Sequence, residues 1–306
     1  MQIGMIGLGR MGANMVRRLL KGGHRVVGFD PNANVRQILE KEGMSQAEDY
    51  RALIRQLRKD GGPVFVWFMI PSGPPVDEAL EQILPLLAEG DLLVDGGNSR
   101  YTDTLRRGKR SLQSGVRYVD VGTSGGIWGL DAGYCLMVGG ETDSVRLLDP
   151  VFRTLAPPEG YLHVGPSGSG HFVKMVHNGV EYALLQAYGE GFDLLKNGPY
   201  DLDLPSVAHL WNQGSVVRSW LLELLGNALK ANPTLSGIRG YVEDSGEGRW
   251  TAETAIEYGV FAPALTLALM ERFASRQGDL FSNKVIAALR NEFGGHPVAR
   301  DSTGPK

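Results

Sequence analysis

The chain of 306 residues is long enough for two domains, and its 42% hydrophobic and 21% charged residues are ordinary for a globular protein. The formal net charge of -3, with both signs interspersed, excludes a basic field of the kind that binds nucleic acid or anionic lipid. The sequence shows neither the roughly 18 apolar residues of a membrane span nor the pattern of a signal peptide. We therefore expect a cytoplasmic protein without a membrane partner.

Up to about residue 165, short apolar runs alternate with amphipathic segments. The apolar runs predict strands at 2–6, 25–29, 64–69, 92–95, 118–121, 134–138 and 161–164. The segments between them include predicted helices at 11–20, 75–87 and 102–114. A chain that alternates strand and helix in this way forms a mostly parallel sheet covered by helices on both faces.

The glycine- and serine-rich stretch 165–170 marks a change of character, because no strand pattern follows it. A long helical pattern covers 171–196, and further helices are predicted at 204–211, 216–230, 251–257, 263–276 and 284–293. We predict two domains, an α/β domain over 1–165 and an all-α domain over 166–306.

Cys135 is the only cysteine, so an intrachain disulfide is excluded. It lies in the apolar run 134–138, where we expect it to be a small core residue. The six histidines show no metal-ligand spacing, and we expect no metal site.

A glycine motif follows the first predicted strand and opens the first helix, with the sequence Gly7-Leu8-Gly9-Arg10-Met11-Gly12. The first glycine of such a motif allows a tight turn, the second lets a pyrophosphate approach the backbone, and the third lets helix and strand pack closely. The helix N-terminus stabilises the phosphate charge. The motif predicts a dinucleotide site in a Rossmann-type domain.

Asp30 ends the second predicted strand, close to where an acidic side chain meets the adenosine ribose. A carboxylate there accepts hydrogen bonds from both ribose hydroxyls and repels a 2′-phosphate, so Asp30 predicts NAD as the cofactor. The alternative is an aspartate that caps a turn before Pro31. Arg36 lies near enough in sequence to accept a 2′-phosphate instead.

Polar residues form one stripe on the long predicted helix. Lys174, Asn178 and Glu181 stand at i, i+4 and i+7, and His177 flanks the same face. Such a stripe is a poor core pattern, but it is also compatible with a solvated face. Two glycine-rich loops, 95–99 and 122–126, each follow a strand and should line the ligand crevice of a parallel sheet, although both could be simple turns.

These segments resemble 6-phosphogluconate dehydrogenases. The resemblance covers the whole chain and includes the helix segment 170–182, both glycine-rich loops, the segments 248–251 and 257–260, and 290–296 near the C-terminus. The sequence departs from the long form of the family in having Asp30-Pro31-Asn32 after the second strand, Arg249 in place of a lysine, and an earlier end. It is therefore identified as a member of the short, NAD-preferring branch.

The resemblance implies oxidative decarboxylation of 6-phosphogluconate to ribulose 5-phosphate, with Lys174 as general base and then acid, and Glu181 as the proton donor to C1. NAD would contact the glycine motif, Asp30 and Asn98. The implied substrate-binding residues are Asn98, Ser124, Gly125, Gly126, His177, Asn178, Tyr182, Arg249, Thr251, Arg272, Arg290 and His296.

The resemblance also implies a homodimer, alone or paired into a tetramer, in which the C-terminal segment with Arg290 and His296 completes the partner's phosphate site. Two alternatives remain at this stage. One is a non-decarboxylating β-hydroxyacid dehydrogenase of the 3-hydroxyisobutyrate type, against which Arg249, Arg272 and Arg290 argue. The other is an NAD-sensing protein without turnover, since fold does not fix function.

Overall fold

The computed structural model describes residues 1–294 and 297–299. The chain divides into two compact units, Met1–Asn178 and Gly179–Lys306. The first unit contains an eight-stranded sheet with the order β3-β2-β1-β4-β5-β6-β7-β8. The strands are β1 Gln2–Ile6, β2 Arg25–Phe29, β3 Ser45–Gln46, β4 Phe65–Phe68, β5 Leu92–Asp95, β6 Arg117–Ser124, β7 Cys135–Gly140 and β8 Tyr161–Gly165.

All neighbouring strands are parallel except β6 and β7. The helices of this unit are α1 Arg10–Lys21, α2 Ala33–Lys41, α3 Tyr50–Leu57, α4 Pro74–Ile83, α5 Tyr101–Gln113, α6 Gly129–Ala132, α7 Thr142–Leu147 and α8 Asp149–Leu155, followed by the start of α9 Ser169–Asn197.

Helices cover both faces of the sheet. Successive residues of β4 belong to different apolar clusters, with Trp67 in one and Val66 and Phe68 in the other. The first cluster includes residues of α1 and α8, and the second includes residues of α3 and α4. Because side chains of a strand alternate between faces, these clusters are the two sides of a doubly covered sheet.

Helices are the only regular secondary structure among the described residues of the second unit. It contains the rest of α9, then α10 Leu204–Trp211, α11 Trp220–Ala231, α12 Glu247–Glu257, α13 Pro263–Ser275 and α14 Phe281–Gly294. One small core joins α9 to α10 and α11 through residues such as Phe192, Ala208 and Leu222. Another joins α9 to α12 and α13 through Tyr182, Ala252 and Leu269.

The predicted fold class is confirmed: a Rossmann-type α/β domain with a mostly parallel sheet is followed by an all-α region. The prediction for Cys135 is wrong, because this residue is exposed. Cys135 is the first residue of β7 and pairs with Ser124 at the end of the ladder, so burial begins only with Leu136.

Within residues 1–294 and 297–299, every helix is too short or too polar to span a lipid bilayer. Among the same residues, no cluster of three or more His, Cys, Asp or Glu side chains could hold a metal ion.

Candidate active site

The glycine motif joins β1 to α1 in a turn that requires glycine at two positions. Gly7 has φ 91°, and a Cβ there would lie 2.4 Å from the Met69 carbonyl oxygen. A Cβ on Gly12 would lie 2.0 Å from the Gly7 carbonyl oxygen. Gly9, in contrast, has no described atom beyond its two chain neighbours within 4 Å of its Cβ position. The N-terminus of α1 therefore faces open space at Gly9, where a diphosphate can approach the backbone.

Asp30 holds this turn from the end of β2. Its carboxylate accepts hydrogen bonds from Leu8 N at 2.7 Å and from Asn32 N at 2.8 Å. Arg36 donates to the Asp30 carbonyl oxygen, so its guanidinium lies beside the same turn. The turn-forming alternative is thus observed. Contact between Asp30 and the adenosine ribose stays a prediction, and the carboxylate retains lone pairs for it.

Asn98 connects the two glycine-rich loops. Its backbone has φ 55°, its Nδ2 donates to the Thr123 carbonyl oxygen at 3.2 Å, and its Oδ1 accepts from Thr123 N at 2.9 Å. Such a left-handed conformation is uncommon outside glycine, but asparagine is among the residues that tolerate it best. The loop after β5 is thereby fixed to the end of β6, two residues before Gly125.

A buried charge network holds the Asn98 loop, and the sequence analysis missed it. The fully buried Arg107 of α5 donates to both oxygens of Asp77, to Ser99 Oγ at 3.0 Å and to the Gly73 carbonyl oxygen at 2.9 Å. The guanidinium also lies 3.7 Å from Asp95. Hydrogen bonds from the two neighbouring arginines, with Arg107 the larger cause, hold the pKa of Asp77 well below its ordinary value.

The N-terminus of α9 lies directly against β6 and β7. The buried Asp120 accepts from Gly168 N at 2.7 Å and from His171 N at 2.9 Å, and so serves the first turn of the helix. Glycine makes this close approach feasible: a Cβ on Gly122 would lie 2.3 Å from Lys174 Cβ, and one on Gly139 would lie 2.6 Å from the Gly170 nitrogen.

Lys174, His177 and Asn178 converge on this part of α9. Lys174 is 5% exposed, and its Nζ donates to Asn178 Oδ1 at 2.7 Å. His177 Nδ1 lies 3.0 Å from the same oxygen, and its Nε2 lies 3.5 Å from Ser124 Oγ. Because the amide oxygen only accepts, a neutral His177 carries its proton on Nδ1 and presents Nε2 as an acceptor.

The second unit contains the remaining predicted residues. Tyr182 is buried and accepts from Ser245 N at 3.1 Å through its hydroxyl, while the Arg272 guanidinium stacks 3.4 Å from the centre of its ring. Glu181 is partly buried on α9. A Cβ on Gly179 would lie 2.6 Å from the Thr251 methyl group, so α9 and α12 pack closely here.

Arg249 is bound to a carboxylate that the sequence analysis did not identify. Its Nε donates to Asp244 Oδ2 at 2.5 Å and its Nη2 to Oδ1 at 3.1 Å. Arg272 donates to the Glu243 carbonyl oxygen at 2.7 Å, which brings a second guanidinium to the same segment. Arg290 lies exposed on α14, and His296 lies outside the described residues.

Family models match both regions of the chain. Residues 2–165 match the NAD binding domain of 6-phosphogluconate dehydrogenase, and residues 170–288 match the C-terminal domain of 6-phosphogluconate dehydrogenase. The chain is 46% identical over 302 residues to the NAD(+)-dependent, decarboxylating 6-phosphogluconate dehydrogenase of Haloferax volcanii. This match covers 98% of this chain and 99% of that protein. The chain is also 43% identical over 300 residues to YqeC of Bacillus subtilis, which is named only provisionally as a 6-phosphogluconate dehydrogenase. That match covers 98% of this chain and 100% of that protein.

Solved structures share this fold. The 6-phosphogluconate dehydrogenase of Plasmodium falciparum, described in its apo form, with NADP+ and with 6-phosphogluconate, matches with a TM-score of 0.83 at 28% identity. The match covers 99% of this chain and 67% of that chain. A 3-hydroxyisobutyrate dehydrogenase from Mycobacterium tuberculosis shares the fold, with a TM-score of 0.72 at 24% identity over 94% of this chain and 99% of that chain. The chain belongs to the 6-phosphogluconate dehydrogenase family of enzymes.

Proposed function

We propose that this enzyme oxidises and decarboxylates 6-phospho-D-gluconate to D-ribulose 5-phosphate and CO2, using NAD. The observation that carries the proposal is the buried Lys174 amine, bonded to Asn178 Oδ1 at 2.7 Å. Burial disfavours the charged form of an amine, and a general base must be neutral when its substrate binds. A lysine in this setting is suited to take a proton from a sugar hydroxyl.

The chain's own residues move the protons of the proposed reaction. NAD, when bound, accepts the hydride that leaves C3 of the substrate. Lys174 takes the proton of the 3-hydroxyl in that step, which gives a β-keto acid. It returns the proton to the C3 carbonyl oxygen as the C1–C2 bond breaks and CO2 leaves. Glu181 then protonates the enediol at the carbon that was C2 of the substrate, and this carbon becomes C1 of ribulose 5-phosphate.

The remaining residues would bind and orient the substrate. Ser124, Gly125 and Gly126 are proposed to hold its carboxylate, and His177 and Asn178 its hydroxyls. The phosphate would bind Tyr182, Arg249, Thr251 and Arg272, with Arg290 and His296 supplied by the partner subunit of a homodimer.

The cofactor is proposed to bind at the end of the sheet where the strand–helix turn is open. Gly9 leaves space for a diphosphate at the N-terminus of α1, and Asp30 and Asn98 lie at the turns after β2 and β5. We infer NAD rather than NADP because the Asp30 carboxylate, just after β2, would repel a 2′-phosphate bound beside it. The NAD(+)-dependent relative from Haloferax volcanii supports this choice.

The test measures reduced nicotinamide and released CO2 together from purified protein, with 6-phosphogluconate and either cofactor. We expect one CO2 for each NADH, and a much smaller rate with NADP. Lys174→Met should abolish oxidation with NAD binding retained. Glu181→Gln should slow the overall reaction less, since its step follows hydride transfer and decarboxylation. NADH formation from 3-hydroxyisobutyrate, without CO2 and faster than from 6-phosphogluconate, would refute the proposal in favour of the non-decarboxylating branch.

A further inference from the structure

Asp244 lies beneath two guanidinium groups in the second unit. It bonds to Arg249 through both oxygens, and Arg276 Nη2 lies 2.8 Å from its Oδ1. The Asp244 side chain is only 3% exposed, whereas that of Arg249 is 48% exposed. The carboxylate is therefore buried beneath two arginines whose side chains stay partly exposed, with 23% exposure for Arg276. The hydrogen bond from Arg249, with a smaller one from Arg276, lowers the pKa of Asp244. We call Asp244, Arg249 and Arg276 the Asp244 triad.

Aromatic rings fix the same guanidinium groups. Phe273 lies under two of them, with its ring centre 4.4 Å from Arg249 Cζ and 5.1 Å from Arg276 Cζ. Arg272, the next residue before Phe273, stacks on Tyr182. A guanidinium stacked on a ring and bonded to a carboxylate loses little further freedom when it binds an anion. Three arginines, on α12 and at α13, are thus already ordered by aromatic rings.

The Asp244 triad and its neighbours carry a net positive charge. Two guanidinium groups and one carboxylate in the triad leave one positive charge, Arg272 adds a second, and the charge of Glu253, which acts on Arg249, offsets one of them. A phosphate monoester carries about 1.5 to 2 negative charges near neutral pH. The carboxylate occupies only the Nε and Nη2 edge of Arg249. A guanidinium has five N–H donors, so others remain for an incoming anion.

We propose that Asp244 is a positioning residue that holds Arg249 and Arg276 toward the phosphate of the substrate, and that Arg276 is a further cation of that site. The inference rests on the proposed function for the identity of the phosphate ester. If Asp244 had only a structural role, removing its buried carboxylate would lower the free energy of unfolding and leave the affinity for phosphate unchanged. The acidic residue is required because the two arginines would otherwise repel each other and spread apart.

The experiment compares Asp244→Asn with Asp244→Glu and Arg276→Ala. The control is Asp279→Asn, which removes the carboxylate of an exposed ion pair with Lys284 in the same unit. Loss of one aligned charged donor should raise KM for 6-phosphogluconate about tenfold in Asp244→Asn and Arg276→Ala. We expect kcat and KM for NAD to change less than about threefold in these variants, because neither Asp244 nor Arg276 is proposed to touch the reacting carbons. Asp244→Glu should restore part of the affinity, and the control should match wild type.

Inorganic phosphate is the direct probe of the same site, followed by 31P NMR or thermal shift without turnover. Its affinity should fall in Asp244→Asn and Arg276→Ala and stay unchanged in the control, whether or not 6-phosphogluconate is a substrate. Failure of the proposed function is thereby separated from failure of this inference. Folded Asp244→Asn protein with unchanged phosphate affinity and unchanged KM for 6-phosphogluconate would overturn the inference. Equal rises in KM for NAD and for the sugar acid would also overturn it. So would an Arg276→Ala enzyme with unchanged KM for 6-phosphogluconate, or an Asp244→Glu enzyme that binds the sugar acid no better than Asp244→Asn.

Discussion

Gly122→Ala should displace the proposed general base without touching the glycine motif. The added methyl carbon would lie 2.3 Å from Lys174 Cβ and 2.7 Å from the Gly170 carbonyl oxygen. Carbon atoms in contact normally lie about 3.5 to 4.0 Å apart. Helix α9 therefore has to retreat from β6 by about 1.2 Å near Lys174, or β6 has to bend by a similar amount.

The displacement should lower kcat strongly while it lowers the free energy of unfolding only moderately. A misplacement of about 1 Å in a reacting group can reduce the rate about 100-fold. Overpacking a tight site costs about 1 to 3 kcal/mol of unfolding free energy. The variant should consequently remain folded at 25 °C, with kcat for 6-phosphogluconate oxidation down about 100-fold. NAD affinity should stay within about twofold, because the contact lies outside the turn at Gly7 and Gly9.

The matched control is Gly189→Ala in the same helix. Apart from its chain neighbours and the backbone of the helix itself, no described atom lies within 4 Å of a Cβ at Gly189, and alanine is favoured over glycine in a helix by about 0.5 to 1 kcal/mol. Steady-state kinetics with 6-phosphogluconate and NAD, together with thermal denaturation, would measure both variants. A folded Gly122→Ala enzyme whose kcat stays within about threefold of wild type would refute the argument, because Lys174 would then tolerate the displacement.

Other residues allow three further tests. Asp30→Asn combined with Asn32→Arg should move kcat/KM from NAD toward NADP, since like charges in a binding site cost several kcal/mol; wild-type preference for NADP would contradict this. Asp77, whose pKa is lowered by its arginine partners, contributes stability that is present above about pH 4 and lost as the pH falls through its lowered pKa. Between pH 4 and 2.5, the unfolding free energy of Asp77→Asn should therefore fall less than that of wild type, by a difference of at most about 2 kcal/mol. If both proteins lose the same amount, the Asp77 ion pair does not cause the pH dependence. Mixing inactive Lys174→Met and Arg290→Ala subunits should restore part of the activity if the phosphate site is shared between subunits, and no recovery despite confirmed exchange would place that site within one chain.

The architecture was predictable because its strands are apolar runs bounded by turn residues. Strands β1, β2 and β5 begin and end where the sequence analysis placed them. Strand β3 escaped notice, since the two residues Ser45–Gln46 carry no alternation and pair only with β2 at the edge. Cys135 was misplaced because an apolar run does not show where a ladder ends.

The site was predictable only where its residues share one element or one motif. The polar stripe of α9 is visible in the sequence because a helix brings residues three and four apart together. Asp120, Arg107 and Asp244 were missed for the opposite reason. Each is a charged residue whose partners lie on other segments, and an isolated charge in a sequence looks like a solvated one. Their burial depends on long-range packing, which local patterns do not contain.

The exposed position of Cys135 makes the protein convenient to label. It is the only cysteine of the chain, so a thiol-directed fluorophore would attach at a single point without prior mutagenesis. That point pairs directly with Ser124 across the antiparallel ladder. A dye there would sit at the strand end proposed to receive the substrate carboxylate. Its emission could then report the arrival of the sugar acid on the millisecond scale, separately from the absorbance of the reduced nicotinamide.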